Sequence, residues 1–441
     1  MNQQTKTEVD SMRHVWALTF LVVLALGTLA CQATATPTTE TPLELAETTG
    51  EATSIPPTIT PVPTITPSPM SPPTPLAESD TEVYLPLVNT ESTRDATGSE
   101  AYPAPEPTPT RRPKPTPTPE LLTLRTDLPA LSLPEWPRPV NDNGMCIHLS
   151  RNPYPSPEEM DRDIARLQAM KMRWALVLYA DENILHMAAP KFAAAGIIPV
   201  WRKMLRPYEA YEGGWARDVQ IVQQYGLPPY FQIYNEPSLD QEWYEHGGKP
   251  EWDDFIGNLM DATEEVYNAG GFVGWQFINQ EWLDRALDEL ERRGGQQVLG
   301  RFFFVAHSYG NNHPPEYDLD IHSVLGWRFF AQQFQDRYGF VPPIIVGEGG
   351  WRIGNDQDAH YPPIDANMHR DYHVEVFRWF QTGVLSNGEP LPDYLFAFCP
   401  WLLSAPMDDS AWFDSYAGDR LMTFEAVKNM PAFVRKFSWE K

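Results

Sequence analysis

The chain is short of several things, and each shortage narrows what it can do. Only three cysteines occur in 441 residues, Cys31, Cys146 and Cys399. They are too few for a disulfide framework, and their spacing matches no metal-ligand pattern. Basic residues are outnumbered, with 33 Lys and Arg against 59 Asp and Glu and a formal net charge of −26. A nucleic-acid partner needs a basic footprint, so this balance argues against one. It suits a neutral polysaccharide better than a strongly anionic one, unless a local basic pocket overrides the total. No HExxH spacing links His246, His313, His360, His369 or His373. A catalytic metal is therefore not expected, and no other cofactor is implied.

Long apolar runs are almost absent too. The exception, Val15 to Ala30, is uncharged, follows Arg13 and His14, and ends at Cys31. It is short for a membrane-spanning helix, and its basic flank and small-residue exit fit a secretory signal. Thr28-Leu29-Ala30-Cys31 resembles the lipobox of bacterial lipoproteins, with Thr28 where leucine is usual, so Cys31 is the expected lipidation site. Plain cleavage and an uncleaved anchor are the alternatives, and all three put the rest of the chain outside the cytoplasm. Residues 1–31 are thus read as the signal segment.

Residues 32–130 are read as a disordered stalk. Up to Pro119 they are mostly Pro, Thr, Glu and Ser, and runs such as Pro107-Thr108-Pro109-Thr110 cannot bury a core. Such segments are extended and polyproline-like.

Residues 131–441 remain, within the usual size of a (β/α)8 barrel. Eight apolar strand candidates recur: Met145–Ile147, Trp174–Tyr179, Ile197–Trp201, Tyr230–Tyr234, Phe272–Phe277, Phe302–Ala306, Ile344–Val346 and Leu395–Phe398. Helical periodicity fills the gaps, over 157–170, 183–195, 214–225, 252–268, 281–293, 323–338, 366–382 and 421–437. Strand–helix alternation with short connections implies a parallel sheet. An open doubly wound sheet is the competitor, but no Gly-rich phosphate loop follows the first strand. The expected fold class is therefore α/β, a TIM barrel.

Two glutamates end apolar runs, in Tyr234-Asn235-Glu236-Pro237 and Val346-Gly347-Glu348-Gly349-Gly350. A side chain at the carboxyl end of a barrel strand projects into the mouth where such barrels do chemistry. Two carboxylates facing each other there are the minimum apparatus for cleaving a glycosidic bond. The strand count puts Glu236 on the fourth strand and Glu348 on the seventh.

In these features the chain from Gly144 onward resembles the clan A retaining glycoside hydrolases, the cellulase- and mannanase-like (β/α)8 enzymes. Their signature is Asn-Glu after the fourth strand, often followed by Pro, and Glu in a glycine-rich setting after the seventh. His307-Ser308-Tyr309 is similar to the His-x-Tyr of several members, and Trp401 follows the eighth strand where the clan often has a tryptophan under the sugar. The resemblance implies Glu236 as acid/base, Glu348 as nucleophile and Asn235 near the sugar 2-hydroxyl. It implies that Tyr309 donates to Glu348 while His307 holds the acid or the sugar. Members commonly carry an arginine near the end of the second strand, where this chain reads Val177-Leu178-Tyr179-Ala180-Asp181. Arg202 on the third strand is the substitute.

Trp401 and Trp351 are expected to stack on sugar because they follow strands of the site. The other tryptophans read equally well as core, and His307 alone would read as a structural histidine. Cys146 and Cys399 fall on neighbouring strands of a closed barrel, where a bridge is often strained, so free buried thiols are expected. The function expected is a retaining β-glycosidase acting on a poly- or oligosaccharide, a monomer whose long loops suit an extended cleft. A carbohydrate-binding surface protein that has lost catalysis, or a transglycosylase, would use the same barrel.

Overall fold

The computed structural model describes residues 120–440. The expected signal, its Cys31 and the Pro/Thr-rich segment up to residue 119 lie outside the described residues. No helix among the described residues is long and apolar enough to cross a membrane.

Seven parallel strands lie in sequence order: β1 (Trp174–Tyr179), β2 (Ile198–Lys203), β3 (Tyr230–Ile233), β4 (Phe272–Gln276), β5 (Phe302–Tyr309), β6 (Ile344–Gly350) and β7 (Leu395–Pro400). The helices are α1 (Pro157–Ala169), α2 (Glu182–Ala195), α3 (Gly214–Gln224), α4 (Trp252–Asn268), α5 (Gln280–Arg292), α6 (Trp327–Tyr338), α7 (Ala366–Thr382) and α8 (Leu421–Lys428). The alternation makes a nearly closed TIM barrel.

The expected first strand, Met145–Ile147, is not a regular strand. The stretch from Met145 to His148 forms single parallel bridges, Met145 to Phe398 on β7 and His148 to Leu176 on β1, and so occupies the seam between the two. Backbone bonds from Phe398 N to Gly144 O and from Trp174 N to Met145 O hold both sides. Gly144, at φ +65°, introduces the segment, and a Cβ there would lie 2.1 Å from the Phe380 ring. Only glycine tolerates both the left-handed backbone and that approach.

Helix ends follow local chemistry. Ser156 caps α1, accepting from Glu159 N at 3.1 Å while the Glu159 carboxylate accepts from Ser156 N. The helix expected to run to Phe437 stops at Lys428, three residues before Pro431, which cannot continue it. Residues 120–130, which composition put in the stalk, pack along the barrel. Leu122 N bonds Arg293 O, Arg125 N bonds Asn268 Oδ1, and Leu122, Leu124 and Leu128 rest on the core.

Strand alternation sorts the side chains into two layers. Trp174 and Leu176 of β1, Ile198 and Val200 of β2, and Phe303 and Val305 of β5 fill the barrel interior. Trp201, Phe231, Phe302 and Phe304 face the helices. The period of two carries straight into the mouth. After Ile198 and Val200 comes Arg202, and after Phe303 and Val305 come His307 and Tyr309.

Cys146 and Cys399 form a disulfide with a Cα–Cα distance of 4.3 Å, which corrects the expectation of free thiols. The seam carries isolated bridges instead of a continuous ladder, so its two backbones approach where regular neighbours could not. Both residues are fully buried in the interior layer.

Candidate active site

The mouth of the barrel is assembled from the carboxyl ends of its strands. Glu236 follows β3 through a turn in which Tyr234 (φ 58°) and Glu236 (φ 38°) both adopt positive φ. Backbone strain of this kind persists only where surroundings over-determine it. Here the Gln276 side chain on β4 accepts from Glu236 N, and the Tyr234 hydroxyl donates to Glu209 O at 2.7 Å. Glu348 lies within β6, at a register shift against β7 between Val346 and Gly349. A second shift between Ala306 and His307 sets His307 opposite Glu348.

The two carboxylates are close. One oxygen of Glu236, one of Glu348 and a ring nitrogen of His307 lie within 4.8 Å of one another. Their exposures differ, with 19% for the Glu236 side chain and 6% for Glu348. Glu348 is gripped from both sides: Tyr309 donates its hydroxyl to Oε2 at 2.6 Å, and Arg202 Nη1 donates to Oε1. Arg202 also donates to Asn235 Oδ1 at 2.9 Å, and Asn235 Nδ2 donates to Glu242 at 3.1 Å. His307 Nδ1 stands 2.7 Å from Glu236 Oε1 and 3.6 Å from Glu348 Oε2.

These contacts set the charges. Burial alone would raise the Glu348 carboxyl, but His307, Arg202 and the Tyr309 hydroxyl together hold it well below the usual range. Burial works against a charged His307, yet the carboxylates of Glu348 and Glu236 outweigh it and raise the imidazole above its ordinary value. Tyr309 is pushed well up by burial of its hydroxyl and by both carboxylates, so it serves as a donor. The pH consequences follow by linkage. The stabilisation from ionised Glu348 is complete above its ordinary value of 4.5 and is lost as pH falls through its depressed one. That from protonated His307 is complete below 6.5 and is lost as pH rises through its raised value. Any reaction needing ionised Glu348 should therefore keep its rate on acidification past 4.5, so the acid limb of a kcat/KM profile should lie below that value. A limb centred at or above it would contradict this assignment of charge.

Each residue named from the sequence has a definite place. Glu236, Glu348, Asn235, His307, Tyr309 and Arg202 converge. Trp401, half-buried and held by an Nε1–H bond to Asp408 at 3.2 Å, lines the cleft beside them. Trp351 does not join them. It is 2% exposed, donates to His313 O at 2.7 Å and packs on Tyr372 and His373, so its ring has no open face for a sugar. Trp351 follows Gly350, whose φ of +85° breaks the strand alternation just before it. His148, which sequence reasoning passed over, also reaches the site, with Nε2 3.9 Å from Glu348 Oε1.

Two cavities meet at this centre. One of about 460 Å³ is lined by Arg202, Asn235, Glu242 and Glu348, the other of about 440 Å³ by His307, Asn311, Asn355 and Gln357. Glu236, Tyr309 and Trp401 line both. Glu236, His307 and Glu348 are near enough to ligate one ion. Both oxygens of Glu348 are already engaged, though, and the guanidinium of Arg202 supplies the positive charge a metal would bring.

Fold and site together define a (β/α)8 barrel with a close pair of glutamates at its C-terminal mouth, one buried among donors and one open to the cleft. No family model and no curated protein matches the chain. Solved structures with a similar fold include β-glucuronidase 2 of Bacteroides uniformis, at 12% identity and TM-score 0.39 over 62% of this chain and 33% of that one. The chain thus spans about a third of that enzyme's length. The endo-1,4-β-mannanase of Rhizomucor miehei matches at 10% identity and TM-score 0.38, over 69% of this chain and 98% of that one. An L-ribulose 3-epimerase matches at 12% identity and TM-score 0.34, over 64% and 91%. Glycosidase barrels are thus among the similar structures, together with barrels of other chemistry, and the likeness is one of fold.

Proposed function

We propose that the chain is a retaining glycoside hydrolase that cleaves a β-linked poly- or oligosaccharide by double displacement. The observation that carries this is the approach of one Glu236 oxygen and one Glu348 oxygen to within 4.8 Å, with Arg202 and Tyr309 donating to Glu348. A retaining pair stands roughly 5–5.5 Å apart and an inverting pair about 6.5–9.5 Å, the wider gap leaving room for a water.

Glu348 attacks the anomeric carbon while Glu236 gives its proton to the departing glycosidic oxygen. The carbon–oxygen bond to the aglycone breaks as the ester to Glu348 forms. Glu236, now a carboxylate, takes a proton from a water that attacks the same carbon, and the ester breaks to restore Glu348. Arg202 and Tyr309 keep the nucleophile ionised and aimed, Asn235 is placed for the sugar 2-hydroxyl, and Trp401 offers a ring for the sugar face. No step needs a cofactor.

We further propose that the barrel works outside the cytoplasm, tethered through a lipid on Cys31 or secreted. The buried disulfide supports an oxidising compartment.

The stereochemical course tests the reading. Aryl β-glycosides of glucose, mannose, xylose and glucuronic acid are incubated with the protein and followed by proton NMR. The sugar first released from the one turned over should be the β anomer, with mutarotation to α later. An α anomer released first would mean inversion. Binding of β-glucan or β-mannan with no turnover of any substrate would favour a binding protein.

A further inference from the structure

His148 is a polar side chain of the mouth that the proposed reaction leaves without a task. It is fully buried, and among the described residues neither of its ring nitrogens has a hydrogen-bond partner. A buried polar group without a partner is destabilising, so one that faces a reacting group calls for a reason. Its backbone is fixed on both sides: His148 N donates to Pro400 O at 3.0 Å, and its O accepts from Leu403 N at 2.7 Å. Its ring lies 4.5 Å from that of Trp401. Cys146 and Cys399 stand two residues before His148 and Trp401, so the disulfide ties together the two backbones that carry these rings.

The polar atom this ring faces is Oε1 of Glu348, 3.9 Å from Nε2. We propose that His148 is a positioning residue for the nucleophile, a neutral imidazole whose Nε2–H dipole, 3.9 Å away and short of a hydrogen bond, orients Oε1 of Glu348 for attack. This rests on the assignment of Glu348 as nucleophile. The groups around the ring support a neutral state. Burial comes first and the Arg202 guanidinium on β2 next, with His307 on β5 and Arg151 on the same loop acting in the same direction. Against only the opposing charge of Glu348, they push its pKa well below the ordinary range.

A neutral donor suits this place. A further cation beside Arg202 and His307 would stabilise the free carboxylate and be wasted once Glu348 becomes a neutral ester. An N–H dipole fixes the direction of Oε1 and loses little when the ester forms.

Two variants and two readouts test the proposal. His148→Phe keeps a ring against Trp401 and removes the donor, whereas His148→Gln keeps a donor amide. With the aryl β-glycoside that the unmodified protein turns over, His148→Phe should lower kcat by about 10–100-fold, the scale of a misplaced reacting group. KM should change little, and His148→Gln should recover part of the loss. The second readout needs no turnover: carbon-13 NMR titration of the Glu348 carboxyl, identified by its disappearance in Glu348→Gln. Its midpoint should move to higher pH in His148→Phe and less in His148→Gln. Unchanged kcat and an unchanged titration in a folded His148→Phe would overturn the proposal. If no glycoside is turned over at all, the glycosidase reading fails, while the titration still decides whether His148 holds the carboxylate.

Discussion

Replacing Glu348 by alanine is expected to lower kcat by on the order of 10⁴–10⁶-fold, as loss of a nucleophile does elsewhere. Added azide should then restore turnover and give a glycosyl azide of inverted configuration. The small anion enters the space the carboxylate has left and attacks the anomeric carbon directly, while Glu236 still protonates the leaving oxygen. Replacing Glu236 by alanine should behave differently. Substrates with a good leaving group need no acid, so the first step continues and the second, which needs a base, stalls. Azide should then attack the accumulated ester and give the azide of retained configuration. The contrast follows from the two environments, since Glu348 sits among Arg202, Tyr309 and His307 whereas Glu236 opens to the cleft. Removing Glu348 leaves buried Arg202 without its carboxylate partner, which is itself costly. The melting curve of Glu348→Gln, which keeps the shape of the side chain, separates loss of chemistry from loss of fold. Two variants giving azides of the same configuration would contradict the division of roles.

The second large effect concerns the barrel seam. Replacing Cys146 and Cys399 together by alanine should cost about 2–5 kcal/mol, towards the upper end because the bridge spans so long a loop. The sequence separation is 253 residues, and the closure entropy that the bridge removes from the unfolded chain grows with the logarithm of that number. At roughly 2–4 °C per kcal/mol for a large domain, the melting temperature should fall by about 4–20 °C. The loss should also reach the site, because His148 and Trp401 follow the two cysteines along the seam. Thermal unfolding of the double variant checks this, and a melting point within a degree of the parent would show that the bridge contributes nothing.

Much of the site was legible because strand alternation continues past the core into the mouth. The period that buries Ile198 and Val200 in the interior brings Arg202 to Glu348. The arginine missing from the second strand position is thereby replaced from the next strand. The same period in Phe303 and Val305 carries on to His307 and Tyr309. What was illegible depends on irregular backbone. The register shifts near Glu348 and His307 leave no mark in an alternating pattern, and following a strand of the site does not reveal the turn at Gly350 that leaves Trp351 buried away from the cleft. The disulfide is illegible because a bridge between neighbouring strands is often strained, and nothing in the sequence shows that this seam has only isolated bridges. His148 was missed although the signal existed: Cys146 faces inward, so the residue two places on must do so too. Residues 120–130 belong with the barrel through Leu122, Leu124 and Leu128, apolar anchors that a Pro-rich composition concealed.

The central claim is that Glu348 becomes covalently bonded to sugar. The direct measurement is intact and peptide mass spectrometry after incubation with a 2-deoxy-2-fluoro β-glycoside of the sugar that is turned over, carrying a good leaving group. The fluorine removes the 2-hydroxyl contact and slows both steps, and the leaving group restores the first, so the ester accumulates. The predicted result is a gain of one fluoroglycosyl unit on the peptide containing Glu348, absent in Glu348→Gln. A label on any other residue, or sustained turnover of the parent glycoside with no label at all, would contradict the account.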